Sequence, residues 1–397
     1  MIQITNPDMC AGCYACYNAC PNNCIELIPD NEGFRYPIVN IERCINCHLC
    51  EKACPYINLS IKGDILKTSE IYAIRSKSEE VLRKSASGGV GYELASAVIK
   101  EGGVSFGAVW GDRYNVVYHK SATTIEELSD MQGSKYLQSD INYCYREAKV
   151  LLKSGRLVCF SGTPCQIAGL FSYLQKDYDN LITCDLICHG VPSPIVLTKY
   201  LEEIEKKEGK KIVHYYRDKS SGWAPASYTV VFEDGSMLKG MKNNAYSKVF
   251  TYYNAQQRKS CYACRFSRYP RIADITLGDY FVKKNALDIY GNEVKATDNK
   301  GLSLVAVNTK QGMRWFSKIS SSTTFDKLQP YSVTSWHLFQ GPGSASKYYE
   351  RKKLFKYLRQ GLSFSRTYDV VFNKPSCIYA ICLSVYCRLR ARLKQNK

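Results

Sequence analysis

Residues 10–21 read Cys10-Ala-Gly-Cys13-Tyr-Ala-Cys16-Tyr-Asn-Ala-Cys20-Pro21, and residues 44–55 read Cys44-Ile-Asn-Cys47-His-Leu-Cys50-Glu-Lys-Ala-Cys54-Pro55. Each is a C-x2-C-x2-C-x3-C-P run. Gaps of two residues let three thiolates converge on one face of an iron–sulfur cube while backbone N–H groups point at its sulfurs. The fourth cysteine of each run then ligates the other cube. Residues 1–60 are therefore expected to form a bacterial-type ferredoxin domain with two [4Fe–4S] clusters. Cys10, Cys13, Cys16 and Cys54 would hold one, and Cys44, Cys47, Cys50 and Cys20 the other. A zinc site asks for two CxxC pairs, not two runs of four with a proline after each. Cys24 stands outside both runs and reads as a small buried residue, and His48 as a surface residue. Such clusters pass single electrons and do no substrate chemistry alone. The rest of the chain is thus expected to hold a reaction centre or to dock to one.

The chain has 397 residues, enough for two or three domains, and 19 cysteines. It opens without a basic stretch followed by an apolar one and has no run of about 18 apolar residues, so a cytoplasmic protein is expected. In that setting grouped cysteines point to metal ligation, not disulfides. The net charge of +18 is unevenly placed, at −3 over residues 1–60 and +11 over residues 351–397. A basic surface favours an acidic electron carrier, a phosphorylated cofactor, nucleic acid or a lipid surface. No compact basic-aromatic stripe or nucleic-acid motif is present, so nucleic acid is not expected as a partner.

Beyond the cysteine runs, strand and helix patterns alternate. Strands are expected at 71–75, 104–110, 116–119, 157–160, 181–187, 228–232 and 304–308, and helices at 88–100, 141–153, 164–174 and 194–206. The fold class is α+β. The ferredoxin domain precedes a mixed α/β core whose N-terminal part is 65–155 and C-terminal part 156–340, and a basic tail, 341–397, follows.

Four loops carry candidate chemistry. Ser85-Ala-Ser87-Gly88-Gly89 opens a helix, where free N–H groups suit a phosphate; an ordinary capped helix fits the same residues, and no GxGxxG is present. Met131-Gln-Gly133-Ser134-Lys135-Tyr136 offers a turn, a cation and a ring; read alone, it is a solvated loop. In Phe160-Ser-Gly162-Thr163-Pro164-Cys165-Gln166, Thr163 caps a helix and Pro164 takes its first position. Cys165 then sits in the first turn, where the helix dipole is expected to lower its thiol pKa and favour a ligand or a reactive sulfur; a buried inert thiol is the alternative. Last, Cys184-Asp-Leu-Ile-Cys188-His189-Gly190 closes a strand, and Cys261-Tyr-Ala-Cys264 lies downstream, before Arg271-Ile-Ala-Asp274-Ile-Thr-Leu-Gly278-Asp279. A lone CxxC serves a redox pair, half a zinc site or half a cluster site. His189 reads as a ligand, a base or a hydrogen-bonded structural residue.

As an ordered set, these loops resemble the beta-subunit family of coenzyme F420-reducing hydrogenases and dehydrogenases, over roughly residues 70–310. The resemblance implies an FAD cofactor, a third [4Fe–4S] cluster in the core, and hydride exchange with a deazaflavin or another conjugated acceptor. Relatives reduce chlorophyll derivatives, and others accompany surface-polysaccharide genes. Carried over by motif, Cys188, Cys261 and Cys264 are core ligands with Cys165 the fourth and Cys184 its substitute. Ser87, Gly88, Gly89, Gly133, Ser134, Lys135 and Thr163 become cofactor contacts. A redox partner such as a ferredoxin or a hydrogenase or dehydrogenase subunit is expected. A flavin belongs between one-electron clusters and a two-electron substrate.

The tail contains Cys377-Ile-Tyr-Ala-Ile-Cys382-Leu-Ser-Val-Tyr-Cys387, then basic Arg388-Leu-Arg390-Ala-Arg392-Leu-Lys394. It is too short to span a bilayer. A terminal helix packed on the core and a helix lying on anionic lipid both fit it.

Overall fold

Left-handed backbone shapes both cysteine runs. Gly12 (φ +64°) and Asn46 (φ +52°) hold equivalent positions, as do Tyr14 (φ +65°) and His48 (φ +57°). Glycine and asparagine tolerate that region best. Each double turn leads into a short helix, Ala15–Ala19 or Leu49–Lys52, that presents the third cysteine. The computed structural model describes residues 1–59, 65–112, 114–241, 244–282, 285–295, 298–329 and 348–373.

Between the runs, β1 (Ile25–Pro29) and β2 (Arg35–Val39) form an antiparallel hairpin. The core strands are β3 (Ile65–Ser76), β4 (Val104–Trp110), β5 (Val117–Ala122), β6 (Val158–Gly162), β7 (Leu181–Leu186), β8 (Ile212–Asp218), β9 (Ser227–Phe232), β10 (Met237–Leu238), β11 (Ile275–Asp279), β12 (Ser303–Thr309) and β13 (Thr323–Lys327). Eight of them make one sheet in the order β13-β3-β12-β11-β7-β6-β4-β5. Its centre, β4-β6-β7-β11, is parallel, and antiparallel strands complete both sides. Residues on both sides of position 155 therefore share one sheet. The parallel centre explains the near-continuous apolar runs of β6 and β7, which are covered on both faces. A second sheet, β10-β9-β8, stands apart.

One face of the large sheet carries the helices Val90–Lys100 and Lys310–Ile319, packed through Leu94, Val98, Trp315 and Phe316 against Ile74, Ile182 and Val305. The other face carries Cys144–Lys153 and Pro164–Leu174, and the ferredoxin domain joins that same apolar cluster through Ala11, Cys13, Tyr14 and Ala15. The cysteine runs are thus part of the core, not a tethered module. Arg146 fixes the contact. Its Nε donates to the Asn18 carbonyl at 2.7 Å, Nη2 to the Cys20 carbonyl at 2.5 Å, and Nη1 to Asn23 Oδ1 at 2.8 Å.

At the C-terminus, helices Tyr348–Arg359 and Phe364–Phe372 pack beside the smaller sheet through Leu354, Phe355, Leu358 and Phe364. Residues 374–397, with Cys377, Cys382, Cys387 and the basic run, lie outside the described residues. Among the described residues no helix is long and apolar enough to cross a membrane.

Candidate metal centres

The fourth cysteine of each run sits with the other run. Cys20, Cys44, Cys47 and Cys50 line one cavity of about 340 Å³, bordered by Ile25, Val39 and His48. Cys24 lines it too, with its Sγ 3.2 Å from Cys20 Sγ. Cys47 is exposed, so this end faces solvent. His48 turns outward to Glu51, Nδ1 to Oε2 at 2.5 Å. On the inner side, Cys16 lies close enough to Cys10 and Cys54 for their charges to raise its thiol further, after burial itself.

A third set of cysteines meets at the carboxyl ends of the parallel strands, where open α/β sheets place their ligands. Cys165 follows β6, Cys188 follows β7, and Cys261 and Cys264 come from the short 3-10 turn Lys259–Ala263 and its cap. All four line one cavity of about 410 Å³ with Ala11, Tyr56 and Phe266. Cys184 does not join them. It is buried on β7 in the opposite apolar layer. The third set adjoins the first, because Gly169, on the helix after Thr163, leaves room for Cys13. A Cβ at Gly169 would stand 3.0 Å from Cys13 Sγ.

A zinc ion needs donors converging to about 2.0–2.3 Å from one point. Among the described residues no three His, Cys, Asp or Glu side chains converge on a single-ion position. These cysteines instead ring cavities, which fits a cube.

The expectation of an acidic thiol at Cys165 is overturned. Burial, then the Cys264 charge, pushes it up to about 12, and the Thr163 hydroxyl pulls back only partly. Burial likewise pushes Cys188 up to about 11 and holds Cys13 and Cys261 well above the usual thiol range. Desolvation outweighs one helix terminus because the whole set lies under the ferredoxin domain. Metal binding to such thiols must release protons.

Thr163 and Gln166 form a reciprocal capping box, with the Thr163 N–H donating to Gln166 Oε1 at 2.9 Å. Ser87 Oγ donates to the Leu302 carbonyl at 2.9 Å, and the Gly88 N–H to Ser303 Oγ at 2.9 Å. These groups are engaged inside the protein. Gly89 (φ +81°) precedes the helix beginning at Val90. The loop holding Gly133 (φ +78°) and Ser134 is open, with only the Lys84 carbonyl, at 3.8 Å, near a Cβ at Gly133. Half-buried Lys135 donates to the Asp130 and Gln132 carbonyls at 2.8 Å each, and burial lowers its ammonium to about 7.

The sequence reading missed the cations beside these loops. Lys219 Nζ donates to the Leu82 carbonyl at 2.7 Å and the Ser87 carbonyl at 3.1 Å, and burial followed by the Arg217 charge lowers it to about 8. Arg217 Nη2 donates to the Trp223 carbonyl at 3.0 Å, and Arg217 Nη1 lies 3.9 Å from Asp279. Arg217 Nε and Trp223 Nε1 are buried without a partner, an arrangement a bound polar molecule would complete. This set of cations, a ring and unspent donors fits an anionic aromatic cofactor. Only the basic run Arg217-Asp218-Lys219 hinted at it in sequence.

Two other motif residues serve the scaffold. Asp274 accepts from the Thr183 N–H and hydroxyl, both at 2.7 Å, and from the Thr309 hydroxyl at 2.5 Å, joining β7 to β12. His189 Nε2 meets Asn254 Oδ1 at 2.5 Å.

Residues 155–330 match the family described as the C-terminal part of the coenzyme F420 hydrogenase/dehydrogenase beta subunit, and residues 9–58 match the 4Fe-4S dicluster domain. No curated protein matches. Among solved structures, a chain from the xenon-derivatised F420-reducing [NiFe] hydrogenase complex of Methanosarcina barkeri is similar at 19% identity and a TM-score of 0.48, over 74% of this chain and 94% of its own.

Proposed function

We propose that this chain, whose residues 9–58 match the 4Fe–4S dicluster domain and whose residues 155–330 match the C-terminal part of the coenzyme F420 hydrogenase/dehydrogenase beta subunit, is an iron–sulfur oxidoreductase subunit that holds three [4Fe–4S] clusters and one FAD. Cys10, Cys13, Cys16 and Cys54 hold the first, and Cys44, Cys47, Cys50 and Cys20 the second. Cys165, Cys188, Cys261 and Cys264 hold the third. The observation that carries the reading is the convergence of those last four thiols, from three separate segments, on one cavity next to Cys13. The cysteine sets adjoin one another in succession, from the one with exposed Cys47 to the one under the ferredoxin domain, a layout suited to carrying electrons between a surface partner and an interior centre.

The loops 87–89 and 133–135 would hold the flavin, with Arg217 and Lys219 available to offset its phosphates and Trp223 to contact it. Bound there, it supplies exchange between single electrons and a hydride, which clusters alone cannot give. The acceptor or donor is a conjugated small molecule, a deazaflavin or an intermediate of surface-polysaccharide metabolism. A redox partner protein docks near Cys47, where Ile41 (70%) and Ile45 (64%) are exposed. The location this reading takes is cytoplasmic, and vesicle co-sedimentation at low and high salt tests whether the basic run 388–394 adds a peripheral contact with anionic lipid.

Anaerobic purification with iron, sulfide and flavin quantified together tests the central reading. About twelve irons and one FAD per chain support it. About eight irons without flavin reduce the chain to a dicluster electron shuttle feeding a separate enzyme.

A further inference from the structure

Arg258 is among the largest fully buried side chains, 1% exposed, and nothing in the proposed function uses it. It sits three residues before Cys261, whose N–H donates to the Arg258 carbonyl at 3.0 Å. Its guanidinium points the other way, into the ferredoxin domain. Nε donates to the Cys10 carbonyl at 2.7 Å, Nη2 to the Arg35 carbonyl at 2.8 Å and to Cys10 Sγ at 3.6 Å, and Nη1 to Gln138 Oε1 at 3.3 Å. The rings of Tyr36 and Phe34 cover it, with centroids 4.3 and 5.6 Å from Cζ. None of these partners is a carboxylate.

The surroundings are shaped for this group. Gly12 lies inside the first cysteine run, and a Cβ there would stand 2.8 Å from Nη1. Gln138 is braced in turn, its Nε2 donating to the carbonyls of Ala11 and Gly12 at 2.7 and 3.1 Å. A buried cation without a counter-charge is strongly unfavourable. Besides the Tyr36 phenol, the groups near enough to act on its charge are Cys10 and Cys261, one from each of two neighbouring cysteine sets, and as cluster ligands both would be thiolates. A cube on four thiolates is anionic, and reduction adds one more negative charge. A nearby cation that also donates a hydrogen bond to a ligand sulfur therefore favours the reduced form.

We propose that Arg258 is a built-in counter-ion lodged between the Cys10 cluster and the core centre, and that it raises the reduction potential of the Cys10 cluster. The inference rests on the cluster assignment above. Arg258 is a positioning and tuning residue; it touches no substrate.

The test is an anaerobic potentiometric titration of the full-length holoprotein, read by electron paramagnetic resonance, with iron counted for every variant. The Cys10 cluster is identified as the signal that Cys16→Ser removes. Arg258→Gln at full iron is expected to move that midpoint to lower potential and leave the signal of the Cys44 set in place. Arg258→Lys keeps the charge and is expected to retain most of the wild-type value. Gln138→Glu sets a carboxylate against Nη1 and should lower the midpoint with the guanidinium still present, which decides the matter if Arg258→Gln does not fold. Unmoved midpoints in iron-replete Arg258→Gln or Gln138→Glu overturn the inference alone, as does Arg258→Lys falling as far as Arg258→Gln. A wild-type chain lacking the Cys10 cluster overturns the cluster assignment, and this inference with it.

Discussion

Replacing Arg351 with methionine should loosen the ferredoxin hairpin from the core. Arg351, on the helix Tyr348–Arg359, pairs with both oxygens of Glu32, with Nη1 to Oε1 at 3.0 Å, and its Nε donates to the Gln257 carbonyl at 3.0 Å. The two side chains are 1% and 8% exposed. Glu32 lies in the turn between β1 and β2, so one side chain ties the hairpin, the segment leading to Cys261 and the C-terminal helix together. Arg351→Met leaves a buried carboxylate alone, which costs about 3–5 kcal/mol. Protonation limits that penalty, since neutralising an ordinary glutamate at pH 7 takes about 3.7 kcal/mol. Removing both charges with Glu32→Leu/Arg351→Met should recover most of the loss, leaving about 1 kcal/mol for the bond to Gln257. Urea unfolding of the three proteins gives the stabilities, and hydrogen exchange over residues 25–39 and 254–261 shows whether the opening is local. A single variant within about 1 kcal/mol of wild type, or a double variant no better than the single, would refute the reasoning.

Cys165→Ser should lower the iron content from about twelve to about eight per chain, with the two ferredoxin-type signals intact; loss of all iron would place Cys165 in the folding of the whole chain. Arg217→Met and Lys219→Met should each weaken flavin retention about tenfold, equal to about 1.4 kcal/mol, with iron unchanged on the same sample. Burial holds buried His119 down to about 4, well below its ordinary value. The unfolded chain therefore takes up a proton near pH 6.5 that the folded chain refuses. Stability is level above pH 6.5 and falls by up to about 3 kcal/mol as pH drops to 4; denaturation across pH 4–7.5 should show that slope flattened in His119→Gln. Gly169→Ala would press a Cβ to 3.0 Å from Cys13 Sγ and 3.1 Å from Tyr145 Oη. It should cost about 1–3 kcal/mol by overpacking and reduce iron incorporation, read by thermal unfolding and an iron assay.

Much of the scaffold was legible where local rules act alone. The capped helix Pro164–Leu174 and the strand Val104–Trp110 begin and end where capping and periodicity place them. The helix expected from 88 starts at Val90, because Gly89 takes a left-handed turn first. Strand β11 was not anticipated. Its residues, Ile275–Asp279, include a glycine and an acid at their end, and only pairing with β7 and β12 makes them a strand.

For the site, the repeated C-x2-C-x2-C-x3-C-P spacing by itself marked the two ferredoxin-type cysteine runs, because two-residue gaps are local geometry, whereas the seating of Cys20 with the Cys44 run and of Cys54 beside Cys16 is a tertiary contact. Whether Cys165 or Cys184 stands with Cys188, Cys261 and Cys264 was decided only in three dimensions. Cys184 lies within β7 and turns into the opposite layer, while Cys165 follows β6 at the strand ends. The upward push on the Cys165 thiol has the same origin, since spacing reveals a helix terminus but not the burial that outweighs it. Arg258 had no signal at all, because the cysteine its guanidinium donates to, Cys10, lies 248 residues away in sequence and 3.6 Å away in space.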